Sequence, residues 1–151
     1  MIKIICVGKL KEKYLKDAVI EYSKRLNKYT KINIIELSDV SNTDINNIIK
    51  KEEEEIIKHL DTKDYIIVLD IDGQSISSVE LANKISNTFI SYSNITFVIG
   101  GSYGLSDKVK SLANYKLSFS KLTFPHQLFR IMLLEQIYRS FKINNNEEYH
   151  K

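Results

Sequence analysis

Short runs of apolar residues, separated by stretches with helical periodicity, limit most strongly the folds open to this sequence. The clearest runs are Tyr65–Asp70 and Ile95–Ile99, and two more lie at Ile2–Val7 and Ile32–Leu37. In the last of these, two adjacent isoleucines predict a strand that is buried on both faces. Because a helical pattern follows each of the first three runs, the predicted order is β-α-β-α-β-α-β. That order is typical of an α/β fold with a mainly parallel sheet flanked by helices.

Five helices and one more short strand complete the predicted order. The helices cover about residues 14–28, 44–60, 78–90, 107–113 and 125–143, and the strand covers Lys116–Ser118. Capping residues support three starts, namely Thr43 or Asp44, the capping box of Ser77 with Glu80, and Ser106. Pro125 fits the first turn of the last helix. Between the third strand and the third helix, Ile71–Gln74 is predicted to form a turn.

Several residues that are able to do chemistry receive structural interpretations instead. The run Lys51–Glu55 interrupts the apolar stripe of the second helix, and we expect a solvated face there. His59, on the same helix, is expected to be exposed. Cys6 is the only cysteine and lies within the first strand, where a thiol is usually an inert core group. His126, in the first turn of the last helix, is also interpreted as structural.

The net charge of +3 conceals an uneven distribution along the sequence. Residues 1–31 hold nine Lys/Arg against three Asp/Glu, residues 32–107 hold five against thirteen, and residues 108–151 hold eight against three. If the two basic ends meet in space, they form a surface suited to phosphates. The alternative is that the lysines only make the helices soluble.

Length and cysteine content place the protein among ordinary intracellular proteins. Its 151 residues predict one domain over 1–151. No apolar run approaches the ~20 residues needed to cross a bilayer, so we expect no membrane association. A single cysteine, and an N-terminus that reads as a strand and not as a signal peptide, favour the cytoplasm.

The last predicted helix has apolar residues around most of its circumference, whereas a surface helix needs only one apolar stripe. They are Leu128, Phe129, Ile131, Met132, Leu133, Leu134, Ile137, Tyr138 and Phe141. A second subunit would cover the excess, so we expect a homodimer through this C-terminal helix. The polar tail Asn144–Lys151 is not expected to be helical.

Two turns at predicted strand ends indicate a ligand site. Ile95–Ile99 ends in Gly100-Gly101, and the last short strand leads into the turn Ser118–Pro125. Adjacent glycines let the backbone turn sharply and let a ligand approach the main chain. In open α/β sheets, ligands bind at the carboxyl ends of the strands. These residues alone predict a pocket for a small anionic or adenine-bearing ligand.

Other signatures of chemistry are missing from the sequence. It contains no glycine-rich dinucleotide fingerprint after the first strand, no Lys-containing phosphate loop and no Cys/His zinc cluster. No Gly-x-Ser-x-Gly elbow supports a Ser-His-Asp triad. We therefore predict no metal site.

Four motifs, in this order along the whole sequence, closely resemble the ribosomal RNA large subunit methyltransferase H family of small SPOUT-class enzymes. They are Gly8–Tyr14, Ile99-Gly100-Gly101 with Gly104-Leu105-Ser106, Ser118–Gln127, and Leu134-Glu135-Gln136 with Tyr138-Arg139. The resemblance implies a SPOUT-like fold with a C-terminal trefoil knot around residues 95–125. It also implies that a homodimer transfers a methyl group from S-adenosylmethionine to N3 of a pseudouridine in 23S ribosomal RNA of the assembled ribosome.

The same resemblance implies which residues form the site. Its cofactor-binding positions correspond to Leu69, Gly100, Phe119, Ser120, Lys121, Leu122, Thr123 and Phe124. Leu69 and Leu122 are expected to form apolar walls for the adenine, while main-chain groups bind its polar edge. Tyr149 and His150 are candidate proton acceptors, because the family's tail reaches the active site of the partner subunit. Arg139 is a candidate to hold a phosphate or a developing oxyanion.

One departure from the family pattern lies in the tail. Glu148 stands where Pro or a small residue usually precedes the Tyr-His pair, and Glu147 comes before it. Two other functions remain open. A ribosome-binding factor without catalysis would share the basic ends but would not need an intact cofactor pocket. A flavodoxin-like phosphate binder is disfavoured, because no anion-binding loop follows the first strand.

Overall fold

The structure, a computed structural model, describes all 151 residues and confirms the α/β prediction. Its elements are β1 (Ile2–Val7), α1 (Lys13–Leu26), β2 (Ile32–Leu37), α2 (Ile45–His59), β3 (Tyr65–Ser75), α3 (Ser78–Ser91), β4 (Ile95–Ile99), α4 (Asp107–Ser111), β5 (Tyr115–Ser118) and α5 (His126–Asn144). The predicted caps also form, because Asp44, Ser77 and Ser106 each accept a hydrogen bond from the first turn of their helices.

The five strands form one sheet in the order β2-β1-β4-β3-β5, and every neighbouring pair is parallel. All strands therefore end at the same edge, which brings the residues after β4 close to those after β3 and β5. The N-termini of all five strands lie at the opposite edge. Parallel strands need crossover connections, and α1, α2 and α3 supply them.

Successive residues of each strand point to opposite faces of the sheet, so each face has its own core. On one face, Ile4 and Cys6 of β1 belong to the cluster that α1, α3 and α5 cover. On the other, Ile5 and Val7 belong to the cluster that α2 and α4 cover. Burial raises the pKa of the Cys6 thiol to about 11, which agrees with its interpretation as a core residue.

Two strand predictions need correction. The expectation that β2 is buried on both faces is wrong, because β2 lies at the sheet edge and Ile34 and Ile35 are only half-buried. The predicted turn at Ile71–Gln74 is wrong as well, because β3 continues to Ser75. Leu117 of β5 lies opposite both Leu69 and Gln74, so residues 70–73 bulge out and the strand then pairs again.

A glycine permits this bulge. A Cβ on Gly73 would lie 2.7 Å from both the backbone carbonyl carbon and the carbonyl oxygen of Lys116, so no larger residue fits without moving β5. The sheet pairing past the bulge thus depends on close contact between two backbones. Sequence patterning alone offers no sign of this contact.

The N-terminal edge of the sheet is held together by one buried carboxylate. Asp64 is 2% exposed and accepts hydrogen bonds from Lys3 Nζ at 3.0 Å, Thr96 Oγ1 at 2.7 Å and Asn94 Nδ2 at 3.0 Å. Burial alone would raise the pKa of Asp64, but these three donors hold it below its usual value. The network joins β1, β4 and the start of β3.

Helix α5 packs between α1 and α3, which explains much of its apolar circumference within one subunit. Leu133, Leu134 and Ile137 are fully buried, whereas Leu128 near the N-terminus is 41% exposed. Arg130 is also buried: Nη2 donates to the Gly8 carbonyl oxygen at 2.7 Å, and Nη1 forms an ion pair with Glu36. No helix, α5 included, is both long and apolar enough to cross a membrane.

Candidate cofactor cavity

The first bend, residues 100–105, follows β4 and turns back on itself. The Gly104 N–H donates to the Gly101 carbonyl oxygen at 3.1 Å, and the two glycines form an isolated antiparallel bridge. Gly104 has φ +78°, the left-handed region that glycine adopts without strain. A Cβ on Gly100 would lie 3.0 Å from the Leu105 side chain. Gly104 therefore suits the turn by its backbone conformation, and Gly100 by the little room left for a side chain.

The second bend, residues 118–125, follows β5 and is anchored by its aromatic side chains. The Leu122 N–H donates to Ser120 Oγ at 3.0 Å, which closes a local turn. Phe119 and Phe124 contact Phe129 of α5, with ring centroids 4.7 Å and 6.4 Å away. Leu122 at the tip is 71% exposed. The aromatic contacts fix the base of the bend, while its tip presents an apolar side chain to solvent.

Between the two bends lies a cavity of about 740 Å³, within the size range of small-molecule sites. Seven of the eight predicted cofactor-binding residues line it: Leu69, Gly100, Phe119, Ser120, Leu122, Thr123 and Phe124. Lys121 does not line it and is exposed. The structure thus brings together residues from β3, the first bend and the second bend, which are up to 55 positions apart in the sequence.

Charged and polar side chains complete the cavity wall. Asp70 and Asp72 contribute carboxylates from the β3 bulge, and Lys110 of α4 lies 3.3 Å from Asp70 Oδ2. His126 contributes an imidazole from the first turn of α5. Carboxylates suit hydroxyl or ammonium groups, and the apolar residues suit a flat ring. The wall therefore fits an adenosyl group with a polar, charged extension.

The three predicted catalytic residues lie together but not in this cavity. Arg139 Nη2 forms an ion pair with Glu135 Oε1 at 2.6 Å, and Tyr149 Oη donates to the same carboxylate at 3.2 Å. Arg139 Nη1 is 3.1 Å from His150 Nδ1, and its guanidinium lies 4.7 Å from the Tyr149 ring centroid. None of Arg139, Tyr149 and His150 lines the cavity of its own subunit.

This arrangement of strand order and bends agrees with the comparisons with known proteins. A family model described as "Predicted SPOUT methyltransferase" matches residues 1–150. The chain belongs to the SPOUT methyltransferase family. Within it, the resemblance to ribosomal RNA large subunit methyltransferase H is confirmed by relatives of that name. Those of Clostridium botulinum (strain Langeland) and Clostridium novyi (strain NT) are 57% and 56% identical, over 99% of this chain and 99% of each relative.

A solved structure shares the fold of this chain without close sequence similarity. It is that of a probable methylase family protein from Haemophilus influenzae Rd KW20. The TM-score is 0.57 at 15% identity, and the match covers 99% of this chain and 70% of the other. At that identity the likeness concerns the fold alone.

In this SPOUT protein, sequence reasoning missed one buried group beside the cavity. The predicted solvated face at Lys51–Glu55 is wrong for Glu52, which is 6% exposed. Its carboxylate oxygens lie 2.9 Å from where a Cβ on Gly101 would stand, so Glu52 supports the first bend from below. Burial and the nearby charge of Asp39 raise the pKa of Glu52. A four-residue spacing, Ile48-Glu52-Ile56, was the available signal.

His59 also differs from expectation. It is half-buried, and its Nδ1 lies 2.8 Å from the Glu55 carbonyl oxygen one turn earlier in α2. The imidazole therefore caps a main-chain group of its own helix. It lies outside the cavity wall.

Proposed function

We propose that this protein is an S-adenosylmethionine-dependent methyltransferase that methylates N3 of a pseudouridine in 23S ribosomal RNA of the assembled ribosome, in the cytoplasm. The observation that carries the proposal is the cavity between the two bends, in a member of the ribosomal RNA large subunit methyltransferase H family. Its two bends contain most of two of the four motifs on which the resemblance rests. The names of the relatives support ribosomal RNA as the substrate.

The protein's own residues would hold the cofactor in parts. Leu69 and Leu122 form apolar walls for the adenine, and main-chain groups of the two bends bind its polar edge. Asp70 and Asp72 are placed to accept hydrogen bonds from ribose hydroxyls or the amino group. Gly100 lets the ligand approach the backbone closely. When bound, S-adenosylmethionine supplies an electrophilic methyl group on a sulfonium sulfur.

Positioning is the main contribution that the protein makes to such a reaction. The cavity must hold the methyl group facing the base while excluding water, and the first bend and the aromatic base of the second bend form rigid walls for this purpose. The base must also lose its N3 proton, so a proton acceptor is needed near the methyl group.

A homodimer through α5 would complete the site. Leu128 remains exposed at the N-terminal end of α5, close to the 69% exposed Tyr14 of α1, and the two line one small groove. In such a dimer, the tail of one subunit would reach the cavity of its partner. There Arg139 would hold a phosphate or a developing base oxyanion, beside Tyr149 and His150. The cluster around Glu135 keeps these three residues together on one surface.

Two measurements test the proposal. Calorimetry should detect binding of S-adenosylmethionine and of S-adenosylhomocysteine, and purified ribosomes that lack the modification should accept a labelled methyl group at the pseudouridine, as mapped by mass spectrometry. Binding without methylation of ribosomes or free 23S RNA would indicate a non-catalytic ribosome-binding factor. No binding of either compound would exclude the cofactor assignment.

A variant that changes only the tail tests whether the tail takes part in the partner's site. The double variant Tyr149→Ala, His150→Ala should keep its cofactor affinity and its dimeric state in solution, yet lose methyl transfer. A monomeric wild-type protein with full activity would exclude the shared site.

A further inference from the structure

The proposed reaction needs a proton acceptor, and the tail residues are poorly suited to that role. A guanidinium has only donors, so Arg139 Nη1 donates to His150 Nδ1 at 3.1 Å and uses the lone pair that would take a proton. Burial and the Glu135 carboxylate raise the pKa of Tyr149, which makes its phenolate harder to form. Both residues also lie outside the cavity of their own subunit.

His126 has the features that the tail residues lack. It lines the cavity itself and, unlike His59 and His150, neither of its ring nitrogens takes part in a hydrogen bond within the protein. Its Nε2 lies 3.0 Å from the point where a Cβ on Gly8 would stand, and Asp39 Oδ1 lies 3.1 Å from the same point. The ring nitrogen and the carboxylate are therefore within about 6 Å of one another.

Gly8 creates the room for this pair. It has φ +95°, in the left-handed region, and a Cβ there would pack tightly against His126 and Asp39, at 3.0 Å and 3.1 Å. The Gly8 carbonyl oxygen accepts from the buried Arg130 Nη2 at 2.7 Å, so the glycine is fixed in place by α5 one turn after His126. The Gly8 backbone, the His126 imidazole and the Asp39 carboxylate thus form one cluster, the Gly8 corner, of which His126 lines the cavity.

Resting on the function proposed above, we propose that His126 is the proton acceptor of the methyl transfer and that Asp39 orients it. In this proposal Nε2, on the side of the ring beside Gly8 and Asp39, carries the hydrogen, and Nδ1 is the acceptor. The N3–H bond of the base breaks and its proton moves to Nδ1, while the N3 electron pair forms the new bond to the methyl carbon. The electrons of the broken C–S bond stay on sulfur, and the positive charge passes from the sulfonium to the imidazolium.

Charged side chains lie near His126 on several elements. Asp39 faces it from the segment after β2, and Glu12 shares a small groove with it from the connector before α1. On the other cavity walls are Asp70 and Asp72 of β3 and Lys110 of α4, of which Lys110 is paired with Asp70. Arg130 on the same helix is paired with Glu36. Two of the carboxylates near the cavity, Asp70 and Glu36, are thus already paired with cations.

The test compares His126→Asn with His59→Asn, which alters an imidazole outside the cavity. We expect His126→Asn to lower kcat for ribosome methylation about 100-fold or more, with the affinity for S-adenosylhomocysteine unchanged by calorimetry. His59→Asn should keep both values. A His126→Asn enzyme that keeps a third or more of kcat overturns the proposal. So does a parallel loss of kcat and cofactor affinity, which would make His126 part of the cavity wall only.

Two further measurements separate catalysis from structure. Adding S-adenosylhomocysteine to the full-length protein should shift the NMR ring signals of His126 and not those of His59, and unmoved His126 signals overturn the proposal. Asp39→Asn should lower kcat about tenfold and leave KM and the affinity for S-adenosylhomocysteine unchanged, because the ring loses the carboxylate that orients it but the cavity wall is intact. An Asp39→Asn enzyme that keeps the wild-type kcat overturns the role of Asp39. If the wild-type protein does not methylate ribosomes, the proposed function is wrong. If it does and the His126 variant is unaffected, only the assignment of His126 as the proton acceptor is wrong.

Discussion

The two edges of the sheet each bury a carboxylate, and they treat it in opposite ways. At the N-terminal edge, Asp64 has three hydrogen-bond donors, and its pKa is lowered despite its burial. At the C-terminal edge, Glu52 lies under Gly101 with the charge of Asp39 nearby, and its pKa is raised. The first carboxylate is stabilised as an anion by its surroundings, and the second is not.

This difference agrees with a division in which the strand starts contribute stability and the strand ends form the proposed binding site. The hydrogen-bond network of Asp64 is satisfied, and such a network makes the strand starts rigid. At the strand ends, the buried Glu52 and the close contacts at Gly73 and Gly101 shape the cavity edge. Features that go against local sequence preferences are usually found at functional sites, and here they lie at the C-terminal edge of the sheet.

The largest effect is expected from breaking the satisfied edge. Asp64→Ala should cost about 3–5 kcal/mol in the free energy of unfolding, because it leaves the partly buried Lys3 ammonium and the buried Thr96 hydroxyl without their acceptor. Denaturant unfolding at pH 7 measures this change. Asp17→Ala, which removes an exposed ion pair with Lys13, is the control and should cost under about 1 kcal/mol. A loss as small as the control's would show that the network does not stabilise the edge.

The binding edge should respond most strongly to a methyl group on Gly101. In Gly101→Ala, the new Cβ would stand 2.9 Å from both Glu52 carboxylate oxygens and 3.1 Å from Val7 Cγ1. We expect a loss of about 1–3 kcal/mol in stability from overpacking and, because the first bend moves, a loss of cofactor affinity of about tenfold or more. Calorimetry and denaturant unfolding measure the two effects.

Two variants show whether the contact with Glu52 is responsible. Gly104→Ala tests backbone strain without a clash, because nothing lies within 4 Å of its Cβ position although φ is +78°. Gly101→Ala should lose less affinity in a Glu52→Ala background, where the space below the bend is free. Equal losses in both backgrounds would show that Glu52 does not support the bend.

The sequence was sufficient for the elements and insufficient for the contacts between them. Apolar runs located β1, β2 and β4 to the residue, because period and burial are local signals. Burial of Glu52 was missed, because an acidic run on a helix looks solvated until its neighbours are known. The pairing of β3 beyond its bulge was missed for the same reason: the approach of Gly73 to Lys116 is a tertiary contact.

The site was predicted in part by motif and in part by topology. The resemblance indicated residues on both bends, and the parallel sheet explains why they meet, because strand ends share one edge. The Gly8 corner with His126 and Asp39 joins three segments that no spacing in the sequence relates. The trefoil knot and the homodimer stay predictions, as does the role of the tail in the partner subunit.

A smaller effect, limited to binding, is expected at the tip of the second bend. Leu122→Ala should lower cofactor affinity about tenfold, or ~1.4 kcal/mol, because an apolar wall of the cavity is lost. Stability should hardly change, because this leucine is 71% exposed. Ile90→Ala, at an 82% exposed position on α3 outside the cavity, is the matched control for calorimetry. If the two variants bind alike, Leu122 is not a cofactor wall.

The smallest effect concerns the raised pKa of Glu52 and has a defined sign. Below the unfolded pKa of a glutamate, near 4.5, the carboxyl is protonated in both states and contributes no pH dependence. As pH rises, ionisation costs more in the folded state, so stability is lost, and the cost is complete above the folded pKa. Glu52→Gln never ionises. It should match the wild-type protein near pH 4 and be more stable at pH 8, by under about 1 kcal/mol.

Asp64 should give the opposite trend, which makes the pair of pH profiles decisive. Its folded pKa lies below the unfolded one, so its contribution is present above about pH 3.8 and is lost as pH falls through the folded value. Urea unfolding of Glu52→Gln, Asp64→Asn and the exposed control Glu54→Gln from pH 3 to pH 8 measures both. As pH rises, the free energy of unfolding of Glu52→Gln should increasingly exceed that of the wild-type protein. That of Asp64→Asn should fall increasingly below it. Two profiles parallel to the control would mean that the edges do not differ electrostatically.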